Sequence, residues 1–383
     1  MRTEQTPTNN RSEIVSLLRA LMIEHALPLW ATRGWDHQRG GFIEGLAADG
    51  TADYDKPRRL LVQARQIYCF AKAAQLGWFP LGREIALRGL DHMLSTAKSP
   101  DGRPGYVSLL APDGSILSTA RDTYDHAFVL LALAHTFQLN GDVQIRTEID
   151  EALAFLDHHL KSEHGGYIEG IPASLPRRQN PHMHLFEAMI ALFDATHDMS
   201  FQNRAGEYFS LFLAHFFDPK AGVLREYFEE DWSNIQPVSV EPGHQAEWVW
   251  LLKEFERITG CPTGKYRSVL LASALRYSDP ETGCLVDEGN VDGKIIKGSG
   301  RCWPQTELAK AWMAQAESGI SEATDAARDA LIRLDRHYLR HPVKGGWYDR
   351  FDPDQQAAMP FIPASSFYHV LCSIAEAERV LGT

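Results

Sequence analysis

The chain has 383 residues, of which 44% are apolar and 23% charged, and its formal net charge is −12. An acidic balance argues against nucleic acid or an anionic membrane as the main partner, because both reward clustered Lys and Arg. Cysteines at 69, 261, 284, 302 and 372 form no CxxC pair, which favours reduced thiols in a cytoplasmic protein over disulfides or a zinc site.

In chain order, residues 1–10 (MRTEQTPTNN) are polar and read as a flexible N-terminus. No basic region followed by an apolar run opens the chain, so no signal peptide is expected. The longest apolar stretch, FVLLALA at 128–134, falls far short of a membrane span. A helical pattern covers 12–27. Pairs of helical patterns follow at 59–76 with 81–97, 123–139 with 144–160, 182–196 with 201–216, 243–258 with 266–277, and 304–317 with 322–338, and one more covers 365–381. Apolar residues recur three and four apart in all of them.

A Gly-Gly-aromatic phrase separates the pairs. It stands at Gly40-Gly41-Phe42, Gly165-Gly166-Tyr167 and Gly345-Gly346-Trp347, with weaker versions at Gly105-Tyr106, Gly222-Val223 and Gly283-Cys284. The period is about 60 residues, which marks a repeat architecture and overrides a domain count based on length. The double glycine permits a tight turn, so a short hairpin is expected after each helix pair. If the first helix pairs with the last, six pairs close a ring. The expectation is an all-α fold, an (α/α)6 barrel with short β-hairpins at one end, forming a single domain over 11–383.

The first helix of each pair carries polar residues near its N-terminal end. They are Arg65; Tyr124 with Asp122, Asp125 and His126; Asn180, His182, His184 and Glu187; His244 and Glu247; Trp303, Gln305 and Glu307; and Ser365, Ser366 and His369. On six inner helices, such groups converge on a central pocket. His184/Glu187 and His244/Glu247 are i, i+3 pairs that share a helix face. A carboxylate beside an imidazole fixes its tautomer and raises its basicity, which suits general acid–base work. Three such histidines with an arginine suggest proton transfer near a carbonyl. His126, His182 and Asp125 read as supporting or structural. His182-Met183-His184 is a poor metal pair, because i, i+2 on a helix points the rings apart. GCPTGKY at 260–266 lacks the glycine spacing and the Ser/Thr of a phosphate loop.

The segments QARQIY, DTYDHAF, NPHMHLFEA, EPGHQAEW, WPQTE and FYHVL together resemble the N-acylglucosamine 2-epimerase family, which includes cellobiose 2-epimerases, mannose isomerases and sulfoquinovose isomerases. The resemblance spans nearly the whole chain. It implies an (α/α)6 barrel and chemistry on reducing sugars without cofactor or metal. Carried over by motif, His369 would remove the proton at sugar C2, and His244 would assist ring opening or act as the second acid–base group. Glu247 would orient His244. His184, with Asn180 and Met183 beside it, would hold the open-chain sugar. Arg65 would stabilise enediolate charge, while Tyr124, Glu187 and Trp303 would complete the substrate-binding set. Two departures stand out. Gln63-Ala64-Arg65 replaces a segment that often carries Gly. The stretch before EPGH, DWSNIQPVSV, lacks the Arg found in some sugar isomerases, which speaks against an anionic substrate.

The expected function is aldose–ketose isomerisation, D-mannose to D-fructose, through a cis-enediol. The alternative within the family is 2-epimerisation of an N-acylhexosamine, mannose or cellobiose. A glycoside hydrolase on the same barrel is the reading from another class, with Asp122, Glu187, Glu247 and Glu307 as candidate carboxylates. The expected partner is a monosaccharide or disaccharide, and the expected state a monomer or homodimer.

Overall fold

A computed structural model of the chain describes residues 11–382. The flexible segment expected at 1–10 lies outside the described residues. Twelve helices are found among the described residues. Helix α1 spans Ile14–Thr32 with a widened turn at Met22–Ala26. The others are α2 (Leu60–Gln75), α3 (Gly82–Ala97), α4 (Thr123–Asn140), α5 (Val143–Phe155), α6 (Gln179–Thr196), α7 (Met199–Leu211), α8 (Pro242–Thr259), α9 (Gly264–Leu275), α10 (Cys302–Ala316), α11 (Ala323–Leu334) and α12 (Phe367–Leu381).

The even-numbered helices form the inner ring. Each packs on the next, and α12 packs back on α2, so the ring is closed. Each odd-numbered helix covers an inner one, and α1 covers α12. The fold is therefore an (α/α)6 barrel. Burial follows from position. Inner helix α4 is buried continuously from Asp125 to Thr136, whereas outer helix α7 buries only Phe201, Ala205 and Tyr208. A helix apolar all round belongs inside, and one with a single apolar stripe belongs outside. Helix α1 is long and apolar enough by length and composition to cross a membrane. Ile14, Leu18, Met22, Leu27 and Trp30 are buried on it, and it packs on α11 and α12.

The hairpins expected at the glycine phrases are a different device. Five of the six phrases close an antiparallel contact among the described residues, through Trp35↔Phe42, Lys98↔Tyr106, Lys161↔Tyr167, Phe217↔Leu224 and Ser278↔Leu285. The ladder strands, however, pair successive repeats. Arg58–Arg59 pairs with Leu109–Leu110, Arg121–Asp122 with Gly170–Ile171, Arg177–Arg178 with Tyr227–Phe228, and Ser239–Val240 with Glu288–Asn290. Gly300–Arg301 then pairs with Arg350–Phe351, and Gly45–Ala47 with Phe361–Pro363, so the strand circle closes as the helix circle does.

Inner-helix side chains bind the phrases directly. Gln63 accepts from Phe42 N at 2.8 Å and donates to Phe42 O at 2.7 Å. Gln245 does the same for Leu224, and Gln305 for Leu285. His126 Nε2 accepts from Tyr106 N at 3.2 Å, and His182 Nε2 from Tyr167 N at 2.9 Å. These two histidines are therefore structural, as expected. A Cβ at Gly166 would come within 2.5 Å of the His182 ring, so the second glycine is required by close approach as well as by its φ of +63°.

Candidate active site

The N-terminal ends of the inner helices and the strand segments above them enclose a cavity of about 480 Å³ on the barrel axis. That size suits a small ligand. Arg65, Tyr124, Asn180, His184, His244, Glu247, Trp303 and His369 all line it. Two expected substrate contacts do not. Met183 is fully buried in the apolar core and does not line the cavity. Glu187 is buried with both oxygens in use: Oε2 accepts from His184 Nδ1 at 3.0 Å, and Oε1 accepts from the Tyr368 hydroxyl.

Three histidines reach the cavity, and each gives Nδ1–H to a carboxylate and leaves Nε2 for a ligand. His369 Nδ1 donates to Glu307 Oε1 at 2.8 Å. The other oxygen of Glu307 lies 2.7 Å from Lys310 Nζ, and both residues are fully buried. Burial works to raise the Glu307 pKa, but Lys310 and His369 hold it down to about 2. Burial in turn pushes His369 down to about 3, against the pull of Glu307, so its imidazole is neutral at pH 7. His184 is likewise lowered by burial, to about 4.

His244 is the opposite case. The expected partner, Glu247, does not orient it. Its Nδ1 donates to Glu226 Oε2 at 2.9 Å, with Glu241 Oε2 at 3.8 Å. The i, i+3 spacing does put Glu247 on the inward face of α8, but one turn deeper, where its Oε1 lies 3.9 Å from His184 Nε2. Burial works to lower the His244 pKa, but Glu226 and Glu241 raise it to about 9, so this ring is an imidazolium at neutral pH. The Glu247 pKa is pushed well up by burial and by the charge of Glu307, which favours its protonated form. Glu247 Oε1 is buried and makes no hydrogen bond among the described residues.

Trp303 lies between the neutral His369 and the cationic His244, its ring 5.1 Å from His244 and 5.5 Å from His369. Gly243 makes room for it, since a Cβ there would lie 2.5 Å from the indole. Arg65 donates to the Tyr124 hydroxyl at 2.9 Å and to Ser365 O at 3.1 Å, and stands 4.2 Å from the Phe128 ring centre. It is buried and has no carboxylate partner among the described residues, which fits a cation held for developing negative charge.

Sequence reasoning missed Glu226, Glu241 and Lys310 as working residues, together with the cavity-lining Arg178, Arg301, Asp349 and Arg350. A signal for part of this set does exist. Glu44, Glu169 and Asp349 stand two residues past the aromatic of their phrase, Glu226 two past Leu224 and Asp287 two past Leu285. Five of the six repeats thus carry a carboxylate at this position, the exception being Ser108 after Tyr106, and Glu226 and Asp349 line the cavity. Glu44 and Glu169 accept from the backbone N–H of Arg59 and Arg178, which lead into α2 and α6. Two groups, Glu226–Glu241–His244 and Glu247–Glu307–His369, bring possible ligand atoms within 4.8 Å of one another. In both, the histidine nitrogen nearest the carboxylates already donates a proton to one of them, and Lys310 occupies the other side of Glu307.

A family model for N-acylglucosamine 2-epimerase (GlcNAc 2-epimerase) matches residues 40–373. The chain is 34% identical over 373 residues to a Rhizobium meliloti (strain 1021) protein named mannose-6-phosphate isomerase, covering 93% of this chain and 94% of the relative. It is 27% identical over 303 residues to a D-mannose isomerase of Marinomonas mediterranea, covering 72% and 74%. The cellobiose 2-epimerase of Spirochaeta thermophila DSM 6192 superposes with a TM-score of 0.87 over 98% of each chain at 23% identity, a likeness of fold. A match along nearly the whole chain, on a closed ring whose central histidines are held by carboxylates, places this protein in the N-acylglucosamine 2-epimerase family.

Proposed function

We propose that the protein interconverts D-mannose and D-fructose through a cis-enediol, with His369 as the base. The observation that carries this reading is the different protonation of the two histidines beside Trp303, one neutral and one cationic. His369 is neutral, with Nδ1–H fixed on Glu307, so Nε2 can take the C2 proton of the open-chain aldose and return it to C1. His244 is a cation suited to donating to the ring oxygen during opening. Arg65 and Glu247, when its carboxyl is protonated, can donate to the enediolate oxygens, and His184, Asn180 and Tyr124 can hold the remaining hydroxyls. Relatives named for mannose 6-phosphate and mannose support a manno-configured sugar.

Epimerisation at C2 would require the two histidines to exchange roles on opposite faces in each direction. With one near 3 and the other near 9, the exchanged protonation state is strongly disfavoured, which favours the one-base route to a ketose. The hydrolase reading loses its carboxylate pair. Asp122 caps α4, and Glu187 and Glu307 each hold a histidine, which leaves Glu247 alone. Incubation with D-mannose tests the proposal: fructose is the expected product, and glucose in its place would make the enzyme a 2-epimerase. All five cysteines are unpaired, and we infer a reducing, cytoplasmic setting.

Two further outcomes are expected. In wild type, kcat/KM should fall as pH rises through about 9, where His244 loses its proton. Glu226→Gln removes the nearest stabilising charge, so this alkaline limb should move toward neutral pH while the fold persists. A limb that does not move would remove Glu226 from control of His244. Dialysis against a chelator should leave turnover unchanged. A loss restored by added divalent ion would assign one of the two carboxylate–histidine groups to a metal.

A further inference from the structure

Resting on the isomerase reading, we propose that Phe128 and Tyr368 are positioning residues for enediolate formation: with Tyr124 they cage the Arg65 guanidinium, hold it in place of a carboxylate, and leave its charge for the substrate oxygens. Neither Phe128 nor Tyr368 lines the cavity, so both act from behind the cation.

The cage follows from the neighbours of α2 in the inner ring. Arg65 lies on α2, which packs between α4 and α12. Tyr124 and Phe128 are i, i+4 on α4 and share one face, and Tyr368 stands in the first turn of α12. The guanidinium carbon of Arg65 lies 4.2 Å from the Phe128 ring centre, 5.1 Å from that of Tyr368 and 5.9 Å from that of Tyr124. Phe128 joins the other two rings, at 5.2 Å from Tyr124 and 5.4 Å from Tyr368. Both Phe128 and Tyr368 are buried. An aromatic face attracts a cation through its quadrupole, most strongly where water is excluded, and does not neutralise the charge.

Other arginines near the barrel mouth are held differently. Arg58, Arg121, Arg178 and Arg301 each lie 2.6–2.8 Å from a carboxylate, on Asp36, Asp101, Glu169 and Asp287. Arg177 also sits on an aromatic face, 3.5 Å from the Trp232 ring centre, but it gives its N–H groups to the carbonyls of Gly165, Tyr167 and Glu230 and does not line the cavity. Arg65 makes two hydrogen bonds among the described residues, to Ser365 O and the Tyr124 hydroxyl, and it does line the cavity. A carboxylate in the place of the cage would pair with Arg65 and repel the developing enediolate, whereas neutral rings do neither. The uncompensated charge acts on the base as well. Burial is the main cause that lowers the pKa of His369 and of His184, and the Arg65 charge works in the same direction on both.

The test titrates two unreactive probes into the full chain by calorimetry. D-mannitol is neutral, whereas D-arabinonohydroxamate, once ionised, spreads negative charge over the atoms that replace the C1–C2 enediolate. Wild type should prefer the hydroxamate. Phe128→Met removes a ring with little loss of volume and should cut that preference at least about tenfold, the size of a desolvated cation–π contact. Mannitol affinity should change little, and kcat should fall more than KM rises. Tyr368→Phe keeps its ring and should keep the preference. In Arg65→Gln, which has no cation to hold, adding Phe128→Met should not lower the preference further. An equal effect of Phe128→Met in that background, equal weakening of both probes, or no preference in wild type overturns the assignment. If Phe128→Met does not fold, Tyr368→Leu measured against Tyr368→Phe puts the same question to the second ring. If D-mannose is not isomerised while the preference and its loss are found, the isomerase reading fails and the cage stands.

Discussion

His369→Ala should lower sugar isomerisation by at least about a hundredfold, the usual contribution of a positioned general base, with little change in sugar affinity. The lost group is the only one of the three cavity histidines that combines a neutral ring, a tautomer fixed by an ionised carboxylate, and a free Nε2 beside Trp303. His184 is also neutral, but its Nε2 faces Glu247 at 3.9 Å, and His244 is already protonated. The substitution leaves Glu307 paired with Lys310, so the inner ring should keep its packing. The discriminating assay is exchange of the C2 proton with solvent, measured alongside sugar binding by calorimetry. Undiminished exchange would remove His369 from the proton transfer. Parallel loss of exchange and affinity would make it a ligand of the sugar.

Lys310→Met is expected to be the most damaging single change at a residue that touches no substrate. Lys310 is fully buried, 2.7 Å from Glu307 and 3.8 Å from the Trp250 ring centre, in a layer that also holds Glu187 and Glu247. Removing one partner of a buried ion pair costs about 3–5 kcal/mol, because the other charge stays buried without compensation. The sign with pH follows from Glu307. Its folded pKa lies below the ordinary carboxylate value, so its stabilisation is present above that ordinary value and is lost as pH falls toward about 2. In Lys310→Met the Glu307 pKa rises, the stabilisation disappears at higher pH, and His369 loses its fixed tautomer. Urea unfolding should show the stability loss, and the acid limb of kcat should move up in pH. An unchanged acid limb with lowered stability would confine Lys310 to a packing role.

Much of the architecture could be read from the chain because two periodicities reinforce each other. The three-and-four spacing marks each helix, and the glycine phrase marks each pair, so the closed ring and the convergence of polar residues at one end follow together. The site was legible where chemistry is carried within one helix. His184 and Glu187 pair as their spacing requires. It was not legible where a partner arrives from another repeat or a strand. The same spacing at His244 and Glu247 misleads, because the N-terminal turn of α8 is approached by Glu226, 18 residues earlier on a strand segment. Glu307 was visible as a polar residue of α10, but its union with His369, 62 residues away, depends on the closure of the ring. Lys310 escaped notice because fully buried lysines are rare, and only its three carboxyl neighbours make it tolerable. Met183 was placed in the set by its adjacency to Asn180 and His184, but its side chain is fully buried in the apolar core.

The most direct measurement is incubation with D-mannose in D2O, with the products followed by NMR. Fructose bearing deuterium at C1, formed by wild type and absent with His369→Ala, is the expected result, because a base-mediated enediol route exposes the migrating proton to solvent. Fructose that stays free of solvent deuterium after many turnovers would contradict proton transfer through His369 and require a direct hydride shift between C2 and C1.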